Sequence, residues 1–484
     1  MHPRDLFATA ADHRLVARLF LKGLAVVYAI AFGSLAVQIT GLVGPDGILP
    51  FQLLLQRAYE QVGYAAVWRI PTLFWLDSGD VALQGAAIAG VGLALLLLLG
   101  IGPATPILIL LFVLYLSLYQ AGQIFTSFQW DYLLLECGFL AIFLAAAPTR
   151  LLVLLYHWLL FRLRFESGFF KLASGDPSWR DFSALEYYFE TQPLPHVGSW
   201  YAHQLPRWLL ESGVGFTFFA ELIVPFFIFL PRPFRVFAAA TTIIAQLLII
   251  ATSNHNFINL LTVLLCLFLL DDRIVGRVWP AAWPPRLPNA RDAPGPVQRA
   301  IAAACASLIV TLSIATMLAM QVRRPLPAAI YALADFAPAY GIGNVYHLFP
   351  TMQTERQELE IFGSDDGETW RKYEFRFKPG AIDVAPAFVA PHQPRLDWMM
   401  WFVPPQSPRT SYWFPLFLQA LRENRPAVTK LLARNPFEGG PPPRQLQVLA
   451  YRYRFTTARE RAASGNWWQV DLLGEYPDVP PRRP

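Results

Sequence analysis

Two carboxylates lie inside apolar segments of this sequence, where a charge is costly. Glu136 and Glu221 each stand in an otherwise hydrophobic run. Because a charged side chain at the centre of a membrane costs about 2.5–3.5 kcal/mol on insertion scales, both carboxylates should face the interior of a helix bundle. They predict either a polar site inside that bundle or a buried polar lock between helices, with Arg162 or Arg164 as the partner.

A second set of reactive side chains follows where an apolar run ends. Glu166 lies four residues after Arg162, a spacing that lets the two pair on one helix face. Glu166 and Lys171 could serve as a base and its partner, or hold an anion. The alternative is a cluster of ion pairs that anchors the next loop at the membrane surface. With the neighbouring segments, these residues predict a functional polar cluster of Asp131, Glu136, Asp176, Trp179, Arg180, Asp181, Glu190, Gln192, His203 and Glu221.

The polar tail carries a third group of candidates. The segment Gly363-Ser-Asp-Asp-Gly367 is flanked by alternating apolar and polar residues, which predicts a β-hairpin with Gly367 at a positive φ. The residues around His392 predict a hydrogen-bonded loop or a patch that contacts another protein, since a metal site there would need more ligands. The contact candidates are Asp365, Asp366, Trp370, His392, Arg395, Asp397 and Trp398.

No familiar catalytic signature accompanies these groups. The sequence has no HExxH, GxSxG, Walker or CxxC motif. Its three cysteines, Cys137, Cys266 and Cys305, fall in apolar segments, where a free thiol behaves as a small hydrophobe. We therefore expect no metal, no cofactor and no assigned catalytic residue.

An uneven distribution of charge defines the elements that must position these residues. The chain has 484 residues, of which 55% are hydrophobic and only 15% charged, with a mean hydropathy of +0.37. Residues 323–484 hold 36 of the 73 Lys, Arg, Asp and Glu side chains. The earlier part contains nine apolar runs close to the ~20 residues that cross a bilayer. These runs are 19–39, 82–101, 104–120, 131–147, 150–165, 213–230, 234–252, 257–270 and 298–320.

The pattern predicts a polytopic α-helical membrane bundle of about eight or nine transmembrane helices over residues 1–322. Long loops at 40–80 and 166–211 interrupt it, and a C-terminal β-rich α+β soluble domain follows over 323–484. The runs between 131 and 165 fit either two helices or one re-entrant feature. In the tail, we expect a helix over Trp413–Arg434 and a strand or helix over Gln445–Thr457.

Basic residues indicate the orientation and the partners. Arginines such as Arg14, Arg18 and Arg150 are concentrated in the segments that lie on the same side of the membrane as the N-terminus. The positive-inside rule therefore predicts a cytoplasmic N-terminus. Nine spans would then place the tail outside the cytoplasm. The net charge of +5 is scattered, and no basic block suits a phosphate backbone. We therefore expect the lipid bilayer, and no nucleic acid, as a partner.

Several long motifs resemble the lipase maturation factor family. They are Phe128-Gln-Trp-Asp-Tyr-Leu-Leu-Leu-Glu136, Phe165-Glu-Ser-Gly-Phe-Phe-Lys-Leu172, Gly175-Asp-Pro-Ser-Trp-Arg-Asp181, Tyr188-Phe-Glu-Thr-Gln-Pro-Leu-Pro195, Gly363-Ser-Asp-Asp-Gly-Glu-Thr-Trp-Arg371 and Ala390-Pro-His-Gln-Pro-Arg-Leu-Asp-Trp398. The resemblance extends over nearly the whole chain. A weaker resemblance, around Gly168-Phe-Phe-Lys171-Leu, is to vitamin K-dependent carboxylase-type membrane domains, in which a lysine does chemistry; Lys171 is the matching position.

The main resemblance implies a membrane-anchored maturation or folding factor for secreted client proteins of the lipase type. Animal members reside in the endoplasmic reticulum membrane, and their C-terminal domain is implicated in client contact. The short N-terminus and the Ala/Pro/Arg-rich composition indicate a bacterial member, in the inner membrane. The alternative is a membrane-embedded enzyme that acts on a lipid- or quinone-like substrate, with Glu166 and Lys171 in the bundle site. The missing catalytic signature favours the non-enzymatic interpretation.

Overall fold

The computed structural model describes residues 3–278, 295–321, 326–404 and 411–477. Helices dominate the chain up to residue 340. In chain order they are α1 Arg14–Ala36, α2 Ile39–Val43, α3 Phe51–Val62, α4 Ala65–Arg69, α5 Asp80–Leu99, α6 Ala104–Ala121, α7 Gln129–Ala146, α8 Arg150–Ala173, α9 Pro177–Arg180, α10 Ala184–Thr191, α11 Val197–His203, α12 Arg207–Phe218, α13 Arg232–Thr252, α14 Ile258–Cys266, α15 Asp272–Val278, α16 Pro296–Gln321 and α17 Ala328–Tyr340.

Seven helices of the described chain are long and apolar enough to cross a membrane. They are Ala11–Ala36, Asp80–Leu99, Ala104–Ala121, Gln129–Ala146, Arg207–Phe229, Arg232–Thr252 and Arg299–Met320. Two of the nine predicted runs differ: 257–270 forms the shorter apolar helix Ile258–Leu269, and 150–165 is part of α8, which continues to Ala173 and carries buried charges. The polytopic helical bundle is confirmed, and the predicted loop at 166–211 begins later than expected.

The runs between 131 and 165 form two helices. A short turn, residues 147–149, joins α7 to α8, and the Thr149 hydroxyl caps α8 by accepting a hydrogen bond from the Leu152 N–H. Thr9 forms an isolated β-bridge with Thr149, and the Asp272 carboxylate accepts the N–H groups of Leu15 and Val16 at 3.0 Å each. The start of α1 is thereby tied to the α7–α8 turn and to α15.

The opposite end of α1 contacts the C-terminal domain, by which we mean the described residues from 353 onward. The Ser34 hydroxyl accepts the Gln393 N–H at 3.1 Å, and the Gln38 side chain donates to the Gln393 carbonyl at 2.8 Å. Because α1 runs 23 residues between these anchor points, the N-terminal turn and the C-terminal domain lie at opposite ends of the bundle.

An antiparallel four-stranded sheet forms the centre of the C-terminal domain. Its strands are β1 Arg356–Ser364, β2 Arg371–Lys372, β3 Gln445–Phe455 and β4 Trp468–Glu475, in the order β2-β1-β3-β4. The helices beside it are α18 Arg395–Met400, α19 Trp413–Arg422, α20 Pro426–Thr429 and α21 Ala458–Ser464. The predicted hairpin is confirmed, with Gly367 at φ +83°, and the segment from Gln445 is a strand. The predicted helix from Trp413 breaks after Arg422 into two shorter helices.

A segment that we call the strap, residues 341–352, connects α17 to this domain along the bundle interior. Gly341 and Gly343 adopt positive φ values of +67° and +73°. A Cβ at Gly343 would lie 2.6 Å from the Leu312 Cβ, so only glycine lets the chain pass this closely to α16. The predicted boundary after residue 322 falls among 322–325, outside the described residues, and remains a prediction.

Candidate functional site

One cluster of buried charges joins α7, α8 and the strap. Arg162 forms a salt bridge with Glu136, and both side chains are almost fully buried. The second Glu136 oxygen accepts hydrogen bonds from the Gly343 N–H at 3.2 Å and the Tyr346 hydroxyl at 3.1 Å. Arg162 Nη1 donates to the Asn344 carbonyl at 2.8 Å. The arrangement matches the buried polar lock that the sequence offered as one interpretation, with the strap completing it.

Glu166 does not form the pairs that its spacing suggested. Its Oε2 accepts the Tyr346 N–H at 2.8 Å, and its Oε1 has no hydrogen-bond partner within the described ranges. Arg162, one turn earlier, is taken by Glu136, and Lys171 is bound elsewhere. The strap therefore replaces both expected partners of Glu166 with a backbone amide.

A second cluster lies further along α8. Lys171 Nζ donates to Glu221 Oε2 at 2.8 Å and to the Leu348 carbonyl at 2.9 Å. Arg164 Nη2 lies 3.5 Å from the other Glu221 oxygen. Glu221 sits in a π-helical turn, Phe219–Ile223, that continues α12. The wide turn presents the carboxylate to α8, and turns of this kind often occur at functional sites.

Gly168 allows α8 to approach this turn. A Cβ at Gly168 would lie 2.7 Å from the Glu221 Cβ, which no side chain tolerates without moving one helix. After the π-turn the helix tightens into a 3₁₀ segment, Val224–Phe229, with Pro225 in its first turn. The local sequence thus shapes the helix so that Glu221 meets Lys171.

A cavity of about 100 Å³ lies beside this second cluster. Its walls come from α8 to α10, α12 to α14, the turn before α14 and the strap. They include Arg164, Lys171, Trp179, Leu185, Tyr188, Thr217, Glu221, Gln246, Ile249, His255, Asn259, Phe349 and Met352. No group of three or more His, Cys, Asp or Glu side chains in the described part of the chain is placed to hold a metal ion.

The charged groups of the enzyme alternative do not meet at one point. Glu136 and Glu166 contact the strap at Tyr346, whereas Lys171 and Glu221 pair with each other beside the cavity. Two separate clusters therefore replace the single site that a general base and its partner would need.

The loop after α8 supplies caps rather than a second reactive group. Asp176 accepts the Ser178 N–H at the start of α9 and the Met352 N–H of the strap, each at 2.8 Å. Trp179 is buried, donates to the Phe349 carbonyl at 3.2 Å and lies 5.2 Å from Lys171 Nζ. Asp176 and Trp179, both from the predicted polar cluster, thus secure the strap against the start of α9.

Arg180 and Asp181, from the same predicted cluster, lie exposed on the surface. Asp181 accepts the hydroxyl and the N–H of Ser183 at 2.6 and 3.0 Å, and these hydrogen bonds lower the pKa of its carboxyl. The structure therefore separates these two residues from the buried clusters.

Glu190, Gln192 and His203 face the C-terminal domain. Glu190 accepts the Phe455 N–H at 2.6 Å and lies 3.7 Å from His203; burial raises the pKa of the Glu190 carboxyl. Arg356 donates to the backbone carbonyls of Glu190 at 3.0 Å and Gln192 at 2.5 Å. These three residues form part of the joint between the bundle and the sheet.

The centre of that joint is a buried ion pair between residues 264 positions apart. Arg395 donates to both oxygens of Asp131, at 2.6 and 2.7 Å, and to the Phe125 carbonyl at 3.0 Å. The Tyr115 hydroxyl donates to the same carboxylate at 2.7 Å, and both charged residues are fully buried. Asp131 at the start of α7 thus clamps the C-terminal domain onto the bundle.

This clamp corrects the interpretation of the tail patch. Arg395, Asp397 and Trp398 are 0%, 3% and 3% exposed, so a client protein could not reach them without separating the two parts. Asp397 accepts the N–H groups of Phe377 and Lys378 at 2.8 and 3.0 Å, and burial raises its pKa. These three residues were contact candidates, and their burial argues against that role.

His392 is half-buried at the same joint, with its Nδ1 2.9 Å from the Ser34 hydroxyl; burial lowers its pKa. The remaining candidates lie at the tip of the β1–β2 hairpin. Asp365 forms a salt bridge with Arg371, Asp366 is exposed, and Trp370 is 36% exposed. Among the contact candidates, Asp366 and Trp370 at the hairpin tip are the exposed ones.

The strap and the polar side chains that connect the bundle to the C-terminal domain were not predicted from the sequence. Asn254 donates to the Leu194 and Ala387 carbonyls and accepts the N–H groups of Val389 and Ala390. The signal was available as the polar run 253–256 between two apolar helices. The glycines at 341 and 343 were also visible, but too short a motif to interpret.

Comparisons with known proteins agree with this two-part architecture. A family model described as the lipase maturation factor transmembrane domain matches residues 15–277, and one described as the lipase maturation factor C-terminal domain matches residues 342–479. No solved structure matches the chain.

Similar proteins align over almost the full length of this chain. Lipase maturation factor 1 of Bos taurus is 34% identical, over 94% of this chain and 87% of its own length. Lipase maturation factor 2 of Gallus gallus is 33% identical, over 95% and 80%, and that of Homo sapiens is 32% identical, over 96% and 82%. On this evidence, the chain belongs to the lipase maturation factor family.

Proposed function

We propose that this membrane protein is a maturation factor that assists the folding of secreted proteins of the lipase type. The observation that carries the proposal is that relatives named lipase maturation factor align over both the membrane bundle and the C-terminal domain. The names of these relatives refer to the maturation of a lipase. This chain is similar to them over both the membrane bundle and the C-terminal domain, so it contains both parts that those proteins have.

The hairpin tip is the surface that we propose for client contact. Thr369 and Glu368 donate backbone hydrogen bonds to Asp366 and lower its pKa, so the exposed carboxylate is ionised at neutral pH. Trp370 borders an open groove of about 1270 Å³ that also includes Leu418 and Leu446. An exposed tryptophan beside apolar and charged groups is typical of protein-binding surfaces. The clamp at Arg395 holds the C-terminal domain that carries this surface against the helix bundle.

We further propose that the N-terminus is cytoplasmic, that the C-terminal domain lies outside the cytoplasm, and that the membrane is a bacterial inner membrane. The end of the bundle that contains the start of α1 also contains Arg14, Arg18, Arg150 and Arg232. This concentration of arginines supports the proposed orientation by the positive-inside rule. The test is labelling of Thr369→Cys with a membrane-impermeant maleimide on intact spheroplasts. Labelling only after lysis would contradict the orientation.

The maturation role is tested by deleting the gene in the native host and restoring the full-length chain. We expect the deletion to lower the activity of secreted lipase per unit of lipase protein, and the wild-type chain to restore it. Trp370→Ala should restore it poorly, because truncating a central aromatic contact typically weakens binding by about 2 kcal/mol or more.

Phe388→Ala is the matched control, because Phe388 is a 62% exposed aromatic residue of the same domain that does not border the groove. It should restore activity as the wild type does. Unchanged specific activity of the secreted lipases in the deletion strain would contradict the proposed function. Equal restoration by Trp370→Ala would contradict only the assignment of the hairpin tip.

A further inference from the structure

The cavity beside α8 is lined by three buried polar side chains that lack hydrogen bonds. Arg164, Gln246 and Asn259 are 4%, 3% and 2% exposed, and all three border the cavity. Within the described ranges, none of their side chains forms a hydrogen bond, and Arg164 has only the 3.5 Å ion pair with Glu221. Buried polar groups are almost always hydrogen-bonded, so three such groups around one space need an explanation.

The charge balance around the cavity indicates what kind of group would satisfy them. Arg164 and Lys171 contribute two positive charges and Glu221 one negative charge. Burial lowers the pKa of His255, in the turn between α13 and α14, to about 3, so its ring is neutral. Lys171 is already bound to Glu221 and to a carbonyl, which leaves the guanidinium of Arg164 as the cation without a close partner.

The rest of the lining is apolar. Leu163, Ile258 and Leu348 border the cavity together with the rings of Trp179 and Phe349. At its margin, Leu185, Thr217 and Ile249 are only partly buried, so the cavity reaches the surface among α10, α12 and α13. A ligand that enters there would meet an apolar wall first and the donors of Arg164, Gln246 and Asn259 inside.

We propose that this cavity binds the anionic head of an amphipathic molecule, a carboxylate or phosphate on an acyl or alkyl chain. The anion would accept hydrogen bonds from Arg164, whose planar guanidinium suits both groups, and from the Gln246 and Asn259 amides. The chain would lie along the apolar wall toward the opening. This binding site is independent of the proposed maturation role.

The experiment uses the full-length protein in phosphatidylcholine nanodiscs and decanoate that carries a diazirine near the end of its chain. After photolysis, mass spectrometry should locate the label on the lining residues of α10, α12 and α13, where the end of the chain would lie. Octanoate or octyl phosphate should compete with the label, whereas uncharged octanol should compete poorly. The stronger of the two anionic competitors indicates whether the natural source is a free acyl carboxylate or a lipid phosphate.

Arg164→Gln should lower the labelling about tenfold, the change expected from losing a charge-assisted hydrogen bond. Arg180→Gln is the matched control, because Arg180 is exposed and does not line the cavity. If Arg164→Gln does not fold, Ile249→Trp fills the cavity margin while keeping the arginine, and it should also remove the label.

Three results would overturn the proposal. They are labelling outside the cavity, equal competition by octanol and octanoate, and unchanged labelling in whichever of the Arg164→Gln and Ile249→Trp variants folds. Any of them would mean that this cavity does not recognise the anionic head of such a molecule.

Discussion

Two buried arginines, Arg395 and Arg164, differ in how many hydrogen bonds they donate, and this difference distinguishes their roles. Arg395 at the joint donates three hydrogen bonds, two of them to Asp131, whereas Arg164 beside the cavity donates none to the described residues. Both are at least 96% buried. Burial alone therefore does not reveal what a charged residue does; the satisfaction of its hydrogen bonds separates a structural clamp from a group available to a ligand.

The largest effect should come from breaking the clamp. Arg395→Met leaves Asp131 buried without its counter-charge, which typically costs about 3–5 kcal/mol. We expect a strongly lowered unfolding midpoint of the detergent-solubilised protein and faster proteolysis of its C-terminal domain. The double variant Asp131→Leu/Arg395→Met should lose less than Arg395→Met alone, because it leaves no unpaired charge. A loss in the double variant equal to the sum of the single losses would contradict a direct pair.

A smaller effect should follow from disturbing the strap that both charge clusters use. Gly343→Ala forces a left-handed backbone that costs about 1–2 kcal/mol for an L-residue, and its Cβ would press on Leu312. Gly465→Ala is the matched control, since Gly465 also has a positive φ but an added Cβ meets nothing within 4 Å. The loss in thermal stability should be greater for Gly343→Ala. Equal losses would mean that close packing against α16 contributes nothing.

Acid should destabilise the fold at a third buried charged residue, Glu358, which has ion-pair partners as Arg395 does. Burial by itself raises the pKa of Glu358, but the charges and hydrogen bonds of Lys378 and Arg356 outweigh burial and lower the pKa below 4.5. Because the folded-state pKa is the lower one, this stabilisation is complete above pH 4.5 and is lost as the pH falls through the folded-state value. Unfolding midpoints measured between pH 7 and pH 3 should fall at the acid end.

Glu358→Gln serves as the control for that pH dependence. It should start from a lower midpoint at pH 7, because Lys378 loses its partner at 2.8 Å, and it should lose less stability on acidification than the wild type. Identical acid profiles for the two proteins would assign the pH dependence to other carboxylates.

The smallest effect should come from Arg164→Gln. The change removes no hydrogen bond within the described ranges, and Glu221 keeps Lys171 at 2.8 Å. We therefore expect the unfolding free energy of protein freed of anionic amphiphiles to change by less than about 1 kcal/mol, because the change removes only the 3.5 Å ion pair with Glu221, and Glu221 keeps its shorter pair with Lys171. A loss as large as that of Arg395→Met would show that the two arginines have the same structural role, and the comparison would fail.

Several parts of this structure followed from the sequence. The apolar runs predicted the spanning helices because the bilayer sets the length of a span. Gly367 between alternating strands predicted the β1–β2 hairpin because glycine readily adopts a positive φ. Glu136 and Glu221 were expected inside the bundle because lipid does not solvate a charge, and both are buried. These features depend on the chemistry of residues that are close together in the sequence, so the sequence alone is enough to predict them.

The partners of the charged groups were decided only by the tertiary structure. Arg162 could reach either Glu136 or Glu166, and the strap selected the first by giving Glu166 the Tyr346 N–H. The spacing of residues says nothing about a pair such as Asp131 and Arg395, which are 264 positions apart. The sequence by itself determined which segments enter lipid, because transfer from water to hydrocarbon depends on the composition of each segment. The packing of distant segments determined which charged groups became hydrogen-bonded clamps and which, like Arg164, stayed without a hydrogen bond to the described residues, because a hydrogen bond depends on the positions of both partners.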